Sequence, residues 1–266
     1  MIKDITIGQY FPGNTFIHNL DARVKIGLSL LFIIMLFFIN SFPPYLLVLG
    51  FIVLIIKVSR IPIKFIVKGL KPLMFIIILT FVINLFFTPG EPLFSLGPIM
   101  VSKEGFHQAI FMAIRLVFLV MGTSILTLTT SPIALTDGIE NLLDPFKKIG
   151  LPSHELAMMM TIALRFIPTL LEETDKIMKA QMARGADFES GNIMKRAKAL
   201  VPLLVPLFIN AFRRADELAI AMEARCYRGG ENRTRLNELR LETKDLVTLV
   251  ACTGFFVLIA SIRFIV

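Results

Sequence analysis

Apolar residues run along the chain in five long stretches separated by short polar breaks. None of the five contains Asp or Glu, and they cover 26–42, 45–59, 72–87, 106–130 and 246–266. A helix of about 20 apolar residues crosses a hydrocarbon core, and shorter runs require a thinner bilayer or snorkelling ends. The pattern therefore predicts an all-α polytopic membrane protein with about five transmembrane helices.

Between 131 and 243 the pattern changes, because charges of both signs are spread among apolar residues at helical spacing. This segment is too polar to span a membrane. Two long helices are predicted, over 151–185 with Gly185 as the terminator and over 192–226, each about 30 residues or roughly 45 Å long. Ser131 is the predicted N-cap of a helix that precedes them. Pro202 and Pro206 are expected to kink the second helix or break its start. The predicted organisation is a leader with four transmembrane helices (1–130), a helical domain (131–243) and a last transmembrane helix (244–266).

The loop after the second apolar stretch carries five cations and no acid: Lys57, Arg60, Lys64, Lys68 and Lys71. Positively charged loops between transmembrane helices stay in the cytoplasm. With five spans, the N-terminus and the 131–243 domain are then predicted to be cytoplasmic and the C-terminus external. The protein is expected in the cell membrane.

Composition supports the membrane class. The chain is 55% hydrophobic, has a mean hydropathy of +0.75 and carries a net charge of +8. In a membrane protein such a charge reflects cytoplasmic loops, so a nucleic-acid partner is not expected. Cys226 lies in a polar region and Cys252 in an apolar run, which argues against a disulfide and leaves too few ligands for a metal.

Motifs of enzymatic chemistry are absent from the sequence. It contains no G-x-x-x-x-G-K-[ST] phosphate loop, no H-E-x-x-H, no G-x-S-x-G and no Cys/His cluster. The three histidines are scattered, at His18, His107 and His154. The sequence therefore predicts no catalytic residues, no metal site and no cofactor bound by this chain.

Arg115 is the exception inside an apolar stretch, where an unpaired charge costs several kcal/mol. One interpretation is a residue that faces a partner or a transport pathway. The other is an arginine paired with backbone carbonyls or with a polar neighbour such as Asn84. The sequence leaves both open, with the second favoured.

The two long helices end in the same way, with an Ala-Arg pair followed by a small residue. The endings are Ala183, Arg184 and Gly185, and Ala224, Arg225 and Cys226. A cation at a helix C-terminus is favoured by the helix dipole, and any lysine would provide it. Arginine between small neighbours also suits forked pairing with carboxylates or carbonyls of a partner. We therefore interpret each ending as a plug for an acidic groove on a cytoplasmic partner.

Several segments of the chain form a recognisable set: "GQYFPGNTFIHNLDARVK", "LTLTTSP", "ALRFIP", "AQMARGAD", "KRAKALVPLLVPLF" and "RRADELAIAMEARCYRGG". Together they resemble the transmembrane T component of energy-coupling factor (ECF) transporters. The family pattern is an Ala-Arg-Gly-like tripeptide at the end of each of two coupling helices. Ala183-Arg184-Gly185 meets it in full, whereas the second tripeptide departs from it at Cys226.

The resemblance implies a non-catalytic scaffold and energy transducer. Two cytoplasmic ABC-type ATPases (A and A′) would each take one arginine ending, and ATP and Mg would be bound by those ATPases. A separate S component, which binds a vitamin or metal ion, would rest on the coupling helices. Thioether side chains repack easily against exchangeable partners. The residues expected to contact the S component are Met158, Met159, Met160, Leu203, Leu204 and Leu207.

Two other classes of protein compete with the scaffold interpretation. A polytopic membrane enzyme with Arg184 and Arg225 as anion-binding residues would need acidic repeats, and "LEETD" (171–175) is the one dense acidic run. A self-contained carrier would favour inverted repeats and broken spans around a midplane site. The sequence contains no second dense acidic run, no inverted repeats and no broken spans. The scaffold is therefore the favoured interpretation.

Overall fold

The computed structural model describes residues 10–96, 99–188, 192–229 and 239–262, and these are mainly helical. The helices are α1 (Ala22–Phe38), α2 (Pro43–Ser59), α3 (Ile63–Leu70), α4 (Met74–Phe87), α5 (Lys103–Thr129), α6 (Pro132–Leu143), α7 (Ser153–Ala183), α8 (Ile193–Ala224) and α9 (Thr243–Ser261). One antiparallel hairpin, β1 (Pro92–Leu96) and β2 (Ile99–Ser102), lies in the connection between α4 and α5. The predicted all-α polytopic class is confirmed apart from this hairpin.

The described residues divide into two compact units. The first, here called the membrane unit, comprises 10–138 and 239–262. The second, the long-helix unit, comprises 139–188 and 192–229 and contains α7 and α8. Helix α6 continues from the first unit into the second, and Ser131 caps its start because the Ser131 hydroxyl accepts the Ala134 N–H at 3.2 Å.

Helix α5 is the centre of the membrane unit. It packs against α1, α2, α3 and α4, while α9 packs on α1. The buried side chains include Leu36, Val48, Ile52 and Leu128, each at most 1% exposed. Many other apolar side chains on these helices face outward, and Phe75 is 73% exposed. An apolar exterior around an apolar core is what lipid as a solvent requires.

The helices able to cross a membrane differ from the sequence expectation in number and in identity. Four helical stretches have the length and composition to cross: Ile63–Phe87, Lys103–Thr129, Ser153–Ala183 and Thr243–Ser261. The first begins at Ile63 rather than at 72, because the basic segment folds into α3 and continues through a 3-10 turn into α4. The third is α7, which lies in the segment expected to be too polar. The predicted first and second spans form α1 and α2, which have 17 residues each and are not among the four. The count of five is therefore approximate.

The leader, which is the part of the membrane unit that precedes α1, is fixed to the helices by a buried polar cluster. Asp21 caps α1 by accepting the Arg23 N–H, and its own N–H donates to Asp245 at 2.9 Å. The Lys25 ammonium donates to the carbonyls of His18 and Thr129. Burial alone would raise the pKa of Asp21, but hydrogen bonds and charge from Arg23 outweigh it and hold that pKa below its ordinary value. The cluster ties the leader to the start of α9 and the end of α5.

Arg115 of α5 is paired inside the membrane unit. Its guanidinium donates to the Ile39 carbonyl at 2.8 Å and to the Tyr45 hydroxyl at 3.3 Å. It also lies 4.9 Å from the ring centre of Phe111, a cation–π contact. The expected pairing with a backbone carbonyl is confirmed, while Asn84 instead donates to Thr80. Arg115 therefore satisfies the carbonyl at the end of α1, where the helix supplies no partner.

Replacing Arg115 by Ala is expected to lower the free energy of unfolding by about 2–4 kcal/mol, because a charged hydrogen bond and a cation–π contact are lost. Unfolding of the purified protein in detergent, followed by circular dichroism, measures the change. Lys103→Ala at the exposed start of α5 is the matched control and is expected to change stability by less than about 0.5 kcal/mol. Equal stability of the two variants would contradict this role.

Candidate functional site

The candidate site lies on α7 and α8, which contain 31 and 32 residues. Pro168 lies inside α7, and Pro202 and Pro206 lie inside α8. Both helices continue through these prolines, so the expected break at the start of α8 is wrong, although each proline removes one backbone donor. At 1.5 Å per residue each helix extends for roughly 45 Å.

Helix α7 ends in a Schellman cap. The Gly185 N–H donates to the Met182 carbonyl and the Ala186 N–H to the Gln181 carbonyl, both at 3.0 Å. Gly185 has φ +87°, the left-handed conformation that such a cap needs at the residue after the helix cap. Gly185 therefore ends the helix as the sequence predicts, and Arg184 occupies the cap position itself.

Helix α8 ends with the same pair of hydrogen bonds. The Cys226 N–H donates to the Glu223 carbonyl at 2.8 Å and the Tyr227 N–H to the Met222 carbonyl at 3.0 Å. Cys226 takes the left-handed conformation, with φ +58°. The departure from glycine at this position thus leaves the cap intact and stores backbone strain, because a Cβ crowds the backbone there. Arg225 occupies the cap position, as Arg184 does on α7.

Both arginines are exposed, and so are Ala183 and Ala224 before them. Across the described residues, neither guanidinium has a hydrogen bond or an ion pair. Small neighbours leave the guanidinium accessible, and five N–H donors in a planar fork suit a carboxylate or several carbonyls. The two helix ends therefore present the same chemical group in the same backbone setting.

An ion pair joins the two helices away from their ends. Arg214 of α8 donates to Glu173 of α7, and both side chains are mostly buried, at 35% and 18% exposure. The second carboxylate oxygen of Glu173 is buried and has no hydrogen bond to any described residue. This ion pair was not predicted from the sequence. Its signal is the spacing, because Glu173 and Arg214 are 41 positions apart, as Arg184 and Arg225 are.

The equal spacing sets equal distances from the ion pair to the two ends. Arg184 follows Glu173 by 11 residues, and Arg225 follows Arg214 by 11 residues. Both segments are helical, so each measures about 16 Å along its axis. The two helical segments that run from the ion pair to the arginines, here called the arms, are therefore equal in length.

The six residues expected to contact an S component do not share one exposed face. Met159, Met160 and Leu204 are exposed, whereas Met158 and Leu207 are half-buried. Leu203 is buried at 6% exposure and offers no surface to a partner in this structure. Contact of this set with a partner stays a prediction.

Other apolar side chains of α8 form a continuous exposed stripe that was not predicted from the sequence. Val201, Val205, Phe208 and Phe212 are each more than half exposed. Their spacing of four, three and four residues places them on one face of a helix. That spacing is the signal by which the stripe could have been found.

No group of three or more His, Cys, Asp or Glu side chains in the described part of the chain is arranged to hold a metal ion.

The chain matches known proteins along most of its length. Residues 13–236 match the family described as "Cobalt transport protein", CbiQ. Three relatives share the name "Energy-coupling factor transporter transmembrane protein EcfT". That of Thermosediminibacter oceani is 61% identical over 94% of both chains. That of Clostridium kluyveri is 63% identical over 93% of this chain and 92% of its own. That of Bacillus subtilis is 48% identical over 99% and 100%.

Together with these matches, the helical fold and its apolar exterior define the class of the protein, which is a multi-pass membrane component of a transporter. Within that class the chain belongs to the family of energy-coupling factor transporter transmembrane proteins, EcfT, which confirms the resemblance drawn from its motifs.

The backbone strain assigned to the cap of α8, and its absence from the cap of α7, can be tested by opposite substitutions. Cys226→Gly is expected to strengthen its cap by about 1 kcal/mol, because glycine takes the left-handed conformation without strain. Gly185→Ala is expected to weaken its cap by a similar amount, since a Cβ there meets no atom within 4 Å and only the backbone conformation resists it.

Amide hydrogen exchange measures both effects at the hydrogen-bonded N–H groups. The Tyr227 amide is expected to exchange about fivefold more slowly in Cys226→Gly, and the Ala186 amide about fivefold faster in Gly185→Ala. Gly254→Ala, inside α9 with open space around its Cβ, is the control and leaves both amides unchanged. Unchanged exchange in both test variants would refute the assigned strain.

Proposed function

We propose that this chain is the non-catalytic membrane scaffold and energy transducer of an ECF-type importer. The observation that carries the proposal is the pair of exposed arginines, Arg184 and Arg225, at the cap positions of two helices with matching caps. Each arginine docks one of two cytoplasmic ABC-type ATPases, A and A′. ATP and Mg belong to those ATPases, and this chain binds no nucleotide.

The chemistry of the caps suits such docking. The carbonyls at the end of a helix carry partial negative charge, which favours a cation there before any partner arrives. A guanidinium held at that point enters an acidic or carbonyl-lined groove and pairs in a forked geometry. Gly185 and Cys226 turn the chain away immediately afterwards, because both have positive φ. The backbone after each arginine therefore leaves room for the partner surface.

The ion pair between Glu173 and Arg214 gives the two arms a common point of attachment. Force applied to either arginine reaches this contact through about 16 Å of helix. Separating Glu173 from Arg214 would leave two partly buried charges without partners, which is costly. Movement of the ATPases is therefore passed to both helices together rather than to one of them.

The apolar surfaces of α7 and α8 are the proposed seat of the substrate-binding S component. Met159 and Met160 on α7 and Leu204 on α8 are exposed and adaptable. Movement of the helices carries the S component between orientations that bind and release its vitamin or metal ion. The substrate is thus chosen by the S component and released by this scaffold.

The orientation follows from charge. The segment from Lys57 to Lys71 holds five cations and no acid, so it is placed in the cytoplasm by the positive-inside rule. The N-terminus and the ends of α7 and α8 are assigned to the same side, where the ATPases are.

Reversing both arginine charges is expected to abolish docking. In Arg184→Glu/Arg225→Glu the fork becomes a carboxylate that an acidic groove repels, so the ATPases are lost from a pull-down and uptake falls to background. Arg213→Glu is the matched control, because Arg213 is an exposed arginine of α8 away from its end. Co-purification from mild detergent and uptake in cells measure the two effects.

Survival of uptake in the double variant would refute the arginine docking. Loss of the ATPases from Arg213→Glu as well would show that total charge, and not the helix ends, governs the association. Failure of the wild-type protein to bring down any ATPase would contradict the scaffold function as a whole.

Breaking the ion pair is expected to separate docking from transport. Glu173→Arg places two cations together, so uptake falls at least tenfold while both ATPases still co-purify. Adding Arg214→Glu restores an opposite-charge pair and is expected to recover most of the uptake, which a merely destabilising substitution would not. Glu172→Arg, at the exposed neighbouring position, is the control. No recovery in the swapped pair would contradict the proposed attachment.

A further inference from the structure

The membrane unit contains a cavity of about 290 Å³ that the proposed function does not use. Its walls come from α1, α2, α5 and α9 and from the leader. Phe16, Leu54 and Val58 line it and are also 50%, 58% and 41% exposed, so the cavity opens at the surface beside the leader and α2.

The size and lining of the cavity suit an apolar chain. An engineered apolar cavity of about 150 Å³ takes up benzene, and ligand sites begin near about 300 Å³. Aromatic and aliphatic side chains dominate the walls, with Phe32, Phe51 and Phe256 among them. Such a space is unfavourable for water and favourable for hydrocarbon.

One charged group also lines the cavity, which volume alone would not predict. Lys25 is only 7% exposed, and its ammonium donates to the His18 carbonyl at 2.9 Å and the Thr129 carbonyl at 3.0 Å. An ammonium has three donors. Among the described residues nothing accepts the third one. A buried donor without an acceptor costs free energy, so we expect an oxygen acceptor within hydrogen-bond distance of the Lys25 ammonium.

The cavity lies at one end of the membrane unit. Most of its lining residues belong to the leader, to the first half of α1 and to the second half of α2 and α5, and on α9 they extend from Thr248 to Phe256. The end of α2 leads directly into the basic segment that begins at Lys57. The cavity is therefore near one membrane surface, at the depth where the carboxyl ends of acyl chains meet the headgroups.

We propose that the cavity holds the acyl chain of one membrane lipid, with an oxygen at the carboxyl end of that chain accepting the third Lys25 N–H. The chain fills the apolar walls, and the rest of the lipid leaves through the opening beside Phe16 and Val58. An ester oxygen of a phospholipid and the carboxylate of a free fatty acid share this chemistry.

Native mass spectrometry of the purified full chain, delipidated progressively in detergent, tests the proposal. The wild-type protein is expected to retain one lipid after the others are removed, and its mass separates a phospholipid from a fatty acid. Lys25→Met, which removes the donor, and Ser29→Phe, which fills the cavity, are expected to lower retention at least tenfold. Lys68→Met on the exposed face of α3 is the matched control and keeps the lipid.

Alkylation of cysteine gives a second readout that needs no substitution. Cys252 lines the cavity and Cys226 is exposed outside it. Adding back the retained lipid is expected to slow reaction of Cys252 with N-ethylmaleimide at least fivefold and to leave Cys226 unchanged. No retained lipid in the wild type, equal loss in Lys68→Met, or equal protection of both cysteines would overturn the proposal.

Discussion

The ion pair between Glu173 and Arg214 is the interaction on which the candidate site depends. Two helices of about 45 Å cannot keep their ends in register through their ends alone, because each end is exposed. A mostly buried charge pair is directional, and breaking it leaves charges with poor solvation. Within the packing of α7 on α8, it favours the register that brings Glu173 and Arg214 together. Arg184 and Arg225 follow it by the same number of residues, so both arginines lie at the same distance along their helices from the contact.

The equal length of the two arms has a consequence only if the C-terminal ends of α7 and α8 are equivalent. Their caps make these two ends equivalent. Both helices stop with the same two backbone hydrogen bonds, although glycine follows one arginine and cysteine the other. Cys226 takes a conformation that glycine would take without strain. The backbone geometry is thus kept at both ends despite a less suitable residue at one. Strain of this kind persists only where the surrounding structure imposes it.

Periodicity and local signals predicted the helices and both endings from sequence, because amphipathic spacing, Ser131 and Gly185 act within a few residues of themselves. Long-range contacts were harder to predict. Arg115 was recognised as needing a partner, yet Tyr45 is 70 positions away and only the packing of α2 on α5 brings it close. Leu203 was expected at a surface and is buried, since the helical pattern does not say which face a neighbouring helix covers. The left-handed Cys226 has no sequence signal, because a cysteine disfavours that conformation.

Two arginines of the membrane unit have partners that explain their presence. Arg115 has a carbonyl, a hydroxyl and an aromatic ring, and Arg23 has a carboxylate and a carbonyl. Each therefore has a local reason to be present, which is stability. Arg184 and Arg225 stand where the fold supplies no acceptor among the described residues, yet they occupy equivalent caps on two helices joined by their own ion pair. The exposed Arg213 also lacks a partner among the described residues, so it is the equivalent caps that distinguish Arg184 and Arg225, and the docking proposed above assigns their acceptors to another molecule.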